Sequence, residues 1–161
     1  MTAEKVPGSA WLLGWASLAA QLVALADRGF ANVPSAAVSV PLSALVVTWV
    51  SYGVLRARMV RVWLAGIILG LVSLFGLIAL VVGPSLGELA EAVTSFVALG
   101  AFVTYLQSEC FARYRAEPDR AGPDLTGLVS LALVVGALGG LTATESGPAD
   151  SSSGFHIRIG L

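Results

Sequence analysis

Between Val62 and Gly83 the chain runs VWLAGIILGLVSLFGLIALVVG without a charged side chain, and Arg56, Arg58 and Arg61 stand just before it. A segment this long and this apolar restricts the backbone more than any other feature of the sequence. The hydrocarbon core of a bilayer takes about 20 apolar residues in helical form, at about 1.5 Å of rise each. Inside lipid an unpaired backbone amide is so costly that a spanning chain is either helical or closed into a barrel. Barrel strands alternate apolar and polar residues, whereas Ile67-Ile68-Leu69 and Leu77-Ile78-Ala79-Leu80 do not. The run is read as a transmembrane helix, not as the core helix of a soluble domain. The same pattern recurs along the chain, and 57% of the residues are hydrophobic.

The 161 residues suit one domain, and only 12% are charged, against about 25% in soluble domains. A net charge of −1 gives no electrostatic case for nucleic acid. Lys5 is the one lysine beside eight arginines, and Ala, Val, Leu and Gly abound. That bias resembles the product of a high-GC bacterial genome. Cys110 is the only cysteine, so no intrachain disulfide can form; it is read as a small apolar filler at a helix end.

The expected fold is an all-α, polytopic membrane helix bundle. Its spans are placed at about 9–26, 35–55, 62–82, 87–108 and 125–144, so residues 1–144 form the transmembrane domain. Residues 145–161 are expected to be a flexible tail. The tail ends in FHIRIGL, whose alternation would also let it add as a strand to a partner. The fifth run, rich in glycine (Gly127, Gly136, Gly139, Gly140), is the weakest span, with a re-entrant or surface helix as the alternative. Ala24-Leu25-Ala26 before Asp27 resembles a signal-peptide cleavage site, which would leave four spans. Against cleavage, Lys5 is offset by Glu4, and Gln21 interrupts the apolar stretch.

Polar and small residues within the runs predict how the helices pack. Gly14, Ser17, Gln21 and Arg28 fall on one face of the first helix, which should turn towards other helices. Pro41 removes a backbone donor inside the second run and predicts a bend, with Ser39 and Ser43 near enough to satisfy freed groups. The turn Arg56–Arg61 makes the second and third helices an antiparallel hairpin. In the third helix Gly66, Gly70 and Ser73 form a small-residue packing face.

Gly83-Pro84-Ser85-Leu86-Gly87 matches the pattern of a nucleophile elbow. That elbow needs a preceding strand and a histidine base. A membrane helix precedes it here, and the only histidine, His156, is in the tail. Ser85 is therefore read as a helix N-cap. Glu88 and Glu91 follow in the first turns, where carboxylates suit the helix dipole. They are read as solvated acids; the sharper alternative is a cation-attracting outer mouth. Glu109 to Asp124 is read as the one substantial polar loop.

Positive charge is retained on the cytoplasmic side of short loops. With the N-terminus inside, Lys5, Arg56, Arg58, Arg61, Arg113, Arg115 and Arg120 are all cytoplasmic, and only Arg28 and Arg158 are outside. Trp and Tyr prefer the interface, and Trp11, Trp15, Trp49, Tyr52, Trp63, Tyr105 and Tyr114 fall towards the same inner side. The chain is therefore placed in the inner (plasma) membrane, N-terminus in and C-terminus out. Arg56, Arg58 and Arg61 are expected to attract anionic lipid at about 1 kcal/mol each.

No histidine lies in a span, and no P-loop, dinucleotide fingerprint, C-x-x-C or H-E-x-x-H occurs. Neither an enzymatic activity nor a cofactor or metal is expected. The function read from the sequence is a scaffold or accessory subunit that packs with other membrane proteins, as a homo- or hetero-oligomer. The rival reading is a small transporter or channel, with Ser17, Gln21, Glu88 and Glu91 as its polar path.

Overall fold

The structure, a computed structural model, describes residues 6–28, 33–117 and 123–142. Lys5, Phe30, Arg120 and the tail 145–161 lie outside the described residues, as do the side chains of Asp27 and Arg28. All regular structure among the described residues is helical: α1 (Gly8–Arg28), α2 (Val33–Leu55), α3 (Met59–Val82), α4 (Leu86–Leu106), α5 (Glu109–Ala116) and α6 (Thr126–Thr142). By length and composition α1 to α4 are each able to cross a membrane, and α6 is a shorter apolar helix. At about 1.5 Å per residue, the 17 residues of α6 extend for about 25 Å.

The ends of these helices are set by local chemistry. Ser85 adopts extended backbone and its Oγ accepts from the Glu88 amide at 3.1 Å, so the elbow-like motif is a helix N-cap, as its context predicts. Ser108 caps α5 in the same way, accepting from Phe111. Before α6 the Asp124 carboxylate accepts from the Thr126 amide at 2.9 Å and from its hydroxyl. Between α2 and α3 only residues 56–58 are non-helical. The Arg58 amide donates to the Gly53 carbonyl and the Ala57 amide to Val54, the paired bonds of a Schellman stop. Its left-handed position is filled by Ala57, at φ 51°.

α6 packs on α1 and α2, α2 on α3, α3 on α4, and α4 on α1. The order around the bundle is therefore α1, α6, α2, α3, α4, closing on α1. The helices adjacent in sequence, α1 and α2, are separated by α6. Residue contacts give the directions. A Cβ added to Gly127 would meet Trp11, one on Gly14 would meet Leu131, and one on Gly139 would meet Gln21, so α6 runs parallel to α1. It runs antiparallel to α2, with Gly136 against Ala44 and Gly140 against Val40. α3 and α4 are antiparallel, with Gly66 against Phe102 and Gly76 against Ala92.

The buried set is mostly small or aromatic: Ala16, Ala24, Ala65, Ala92, Ala98 and Ala101 beside Phe102, Tyr105, Phe111 and Tyr114. Many of the large apolar side chains point outwards instead, among them Ile67, Leu71, Leu74, Phe75, Ile78 and Val81 of α3. Small residues within and large apolar ones without is the pattern of helices that associate by close backbone approach in lipid.

Two expectations need correction. The stretch 109–124 is not a loop throughout, because Glu109–Ala116 is a helix. Its Phe111 and Tyr114 lie three residues apart and are both buried, and that spacing gives the segment one apolar face. The inner aromatic belt also divides. Trp15, Trp49, Tyr52 and Trp63 are exposed, Trp63 to 69%, but Tyr105 is only 1% exposed and Tyr114 only 4%. Those two tyrosines belong to the core at the α4–α5 corner, not to a lipid-facing girdle.

Candidate functional site

The charged end of the bundle is organised by aromatic rings. Arg61 folds back from α3 across the bare backbone of Gly53, where a Cβ would overlap its Cδ. Its guanidinium lies 4.0 Å from the Trp49 ring centroid and donates to the Trp49 carbonyl at 3.1 Å. Arg56 sits 5.8 Å from the Tyr52 ring centroid and 5.4 Å from that of Tyr114. Each such contact holds a cation with about 0.5–2 kcal/mol of attraction. Tyr105 donates its hydroxyl to the Leu55 carbonyl at 2.9 Å, closing the last turn of α2, and packs edge-on against Phe111. Arg56 and Arg61 are thus half-buried among rings and backbone, while Arg58 is exposed.

Beside Arg56 lies an open cavity of about 410 Å³, walled by the end of α2 and the start of α6. Tyr52 and Arg56 line one side, and Asp124, Thr126 and Ser130 the other. The two hydrogen bonds from Thr126 hold the Asp124 carboxyl below the usual carboxylate range. It is therefore charged at neutral pH.

The polar residues within the bundle fall on two seams. On the first, between α1, α6 and α2, Gln21 and Ser43 both face Gly139; a Cβ there would lie 3.3 Å from Gln21 Oε1 and 3.5 Å from Ser43 Oγ. One turn away, Ser39 donates to the Gly140 carbonyl at 2.7 Å. Ser39 therefore bonds across to α6, not to a group freed by Pro41, and α2 is helical through Pro41. On the second seam, between α3 and α4, Ser73 and Ser95 are each 2% exposed. Ser95 Oγ donates to the Ala92 carbonyl at 2.9 Å, and a Cβ on Gly76 would lie 3.7 Å from it.

The candidate residues are distributed across these features. Gln21 belongs to the first seam, and Ser17 is half-buried one turn before it on α1. Glu88 and Glu91 are half-buried at the start of α4, and Thr94 donates back to the Ala90 and Glu91 carbonyls. In the small-residue face of α3, Gly66 meets Phe102 and Ser73 is buried, but Gly70 has no atom within 4 Å of where a Cβ would be. Among the described residues no three of His, Cys, Asp and Glu gather closely enough to hold a metal.

The tightest helix contact lies outside the packing faces that the sequence points to. A Cβ on Gly136 would lie 2.6 Å from Ala44 Cα, and one on Gly140 would lie 2.5 Å from Val40 Cα and 2.6 Å from the Ser39 oxygen. The backbones of α2 and α6 touch at both points. The signal for this contact is the spacing Gly136-x-x-x-Gly140, but the same run holds Gly139 as well, and such abundance of glycine also predicts a weak span.

Fold and site together define a class: an all-helical bundle with four apolar helices long enough to cross a membrane, its lipid-compatible side chains outward, hence of multi-pass membrane type. No family model matches the chain, and no curated protein or solved structure matches it either.

Proposed function

We propose that the protein is a five-helix integral protein of the inner (plasma) membrane, N-terminus cytoplasmic and C-terminus outside. It acts without catalysis, as a scaffold or accessory subunit packed against other membrane proteins. Support for a fifth span is the placement of α6: it runs beside α1 from the level of Trp11 to that of Gln21, parallel to it, as spans one and five of such a topology must be. Support for a retained α1 is its packing against both α4 and α6.

The observation that carries the scaffold reading is the outward face of the α3–α4 pair. Gly70 and Gly100 each have open space where a Cβ would be, and large exposed apolar side chains such as Ile67, Leu71, Leu74, Val97 and Val103 surround them in sequence. The antiparallel register of Gly66 with Phe102 and Gly76 with Ala92 puts both glycines at nearly one depth. Small residues bare of contacts let a partner's backbone approach closely. The test is affinity capture from native membranes after mild extraction, with Gly70→Ile and Gly100→Ile in parallel. Loss of co-purifying membrane proteins or of self-association in the variants, at unchanged thermal stability, supports the reading. A strictly monomeric protein that captures nothing ends it.

The second reading, a small transporter, is favoured by the convergence of Gln21 and Ser43 on Gly139 inside the bundle. Flux into proteoliposomes that disappears with Gln21→Leu or Glu91→Gln would replace the first reading by this one.

A further inference from the structure

The cavity beside Arg56 has the Asp124 carboxylate on its lining as well, at the end of the bundle that carries Arg58, Arg61, Arg113 and Arg115. We propose that it seats an aminoalkyl phosphate group, the headgroup of an ethanolamine phospholipid of the adjacent leaflet, with Arg56 on the phosphate and Asp124 on the ammonium. This rests on the reading above that places this end of the bundle at a membrane surface.

The volume of about 410 Å³ falls within the range of about 300–1,000 Å³ that small-molecule sites occupy. Arg56 is held there before any ligand arrives, its guanidinium against the rings of Tyr52 and Tyr114. A guanidinium fixed in place loses little entropy when it meets a phosphate oxygen. Arg61 points elsewhere, over Trp49 and onto the Trp49 carbonyl. The three arginines of the turn are therefore not one uniform basic patch.

Asp124 decides which headgroup fits. Its Oδ1 takes both bonds from Thr126, which leaves Oδ2 for a donor arriving through the cavity. A headgroup with negative charge alone, such as a glycerol phosphate, would bring its charge to Arg56 with Asp124 repelling it nearby. A primary ammonium beside the phosphate gives Asp124 an opposite charge instead. Thr126 and Ser130 put hydroxyls on the α6 wall, and Leu125 and Val129 give that wall its apolar part.

The test uses the full chain, extracted from membranes and stripped of lipid in detergent. Native mass spectrometry then follows bound lipid when phosphatidylethanolamine and phosphatidylglycerol of identical acyl chains are supplied in equal amounts. Wild type should carry the ethanolamine lipid in several-fold excess. Arg56→Gln should abolish that excess by losing both lipids. Asp124→Asn, which keeps a side-chain oxygen to cap α6, should bring the two lipids to near equality. Ser130→Leu, at an exposed position on the cavity wall, should also lose the ethanolamine lipid without touching the core. Arg58→Gln, at a residue that does not line the cavity, should change nothing. Millimolar phosphoethanolamine distinguishes the sources. Displacement of the lipid shows that the headgroup alone is recognised, and lack of displacement assigns the ligand to the bilayer. Equal binding of the two lipids to wild type, or an excess that survives in both Arg56→Gln and Asp124→Asn, overturns the proposal. A protein that fractionates with membranes yet shows no preference defeats this inference alone; one that stays in the supernatant defeats the membrane reading beneath it.

Discussion

Ala57 is the one non-glycine residue with positive φ among the described residues, and it shows how a short turn is closed under constraint. The left-handed conformation costs a residue with a Cβ about 1–2 kcal/mol. Its methyl group is buried, at 7% exposure, and burial of such a group returns about 0.8 kcal/mol. Replacing Ala57 with glycine therefore relieves slightly more than it loses. We expect Ala57→Gly to raise the unfolding free energy by less than about 1 kcal/mol, measured as a small rise in melting temperature in detergent. Tyr105 makes the opposite case. Its hydroxyl is the donor for the Leu55 carbonyl in a buried position, and an acceptor left unpaired there costs about 1–3 kcal/mol. Tyr105→Phe should lower the melting temperature accordingly, and a variant as stable as wild type would show that the bond contributes nothing. At Asp124 the sign follows from the lowered pKa. Stability drawn from the capped carboxylate is present above the ordinary carboxylate pKa and is lost as pH falls through the lower, folded value. Melting curves of Asp124→Asn should lack that part of the acid dependence of wild type.

At the scale of the helix, the existence of the long apolar elements was legible because a bilayer imposes a condition on composition itself. Charge-free runs of about 20 residues identify them without reference to their neighbours. Their ends were nearly as plain: Ser85 and the Arg56–Arg61 turn carry recognisable capping and stop chemistry. α5 was obscured because its polar residues and arginines dominate the stretch, and only Phe111 and Tyr114 mark an apolar face. Which faces meet was much harder to read. Gly66-x-x-x-Gly70 and Gly136-x-x-x-Gly140 have the same spacing, and a pair of glycines does not say which helix will approach it. The structure puts backbone against Gly136 and Gly140, a phenyl edge near Gly66 and open space at Gly70. Gly140→Ala should therefore drive α2 and α6 apart, at an overpacking cost of about 1–3 kcal/mol. Gly70→Ala should leave the thermal stability of the bundle near that of wild type. Equal effects from the two substitutions would show that the α2–α6 contact is not where the bundle is tightest.

For the molecule as a whole, charge predicts an orientation that one natural probe can read. Cys110 is half-buried on α5, at the end that carries Arg56, Arg58 and Arg61. With that end in the cytoplasm, an impermeant maleimide should leave intact cells unlabelled and react once the membrane is opened. Labelling from outside would invert the topology. The cyclic order of the helices was beyond the reach of sequence, because it depends on which of several similar apolar faces pair. Neighbours along the chain are not neighbours in space where α1 and α2 are concerned.

That separation bears on how the protein is made. A ribosome delivers α1 and α2 well before α6, so the piece that lies between the first two helices arrives after both of them have been released. Until then Gln21, Ser39 and Ser43 lack the glycine surface of α6 that they meet in the finished bundle. A stop codon ahead of Thr126 would remove the keystone of the arch, leaving an incomplete chain for membrane proteases to clear.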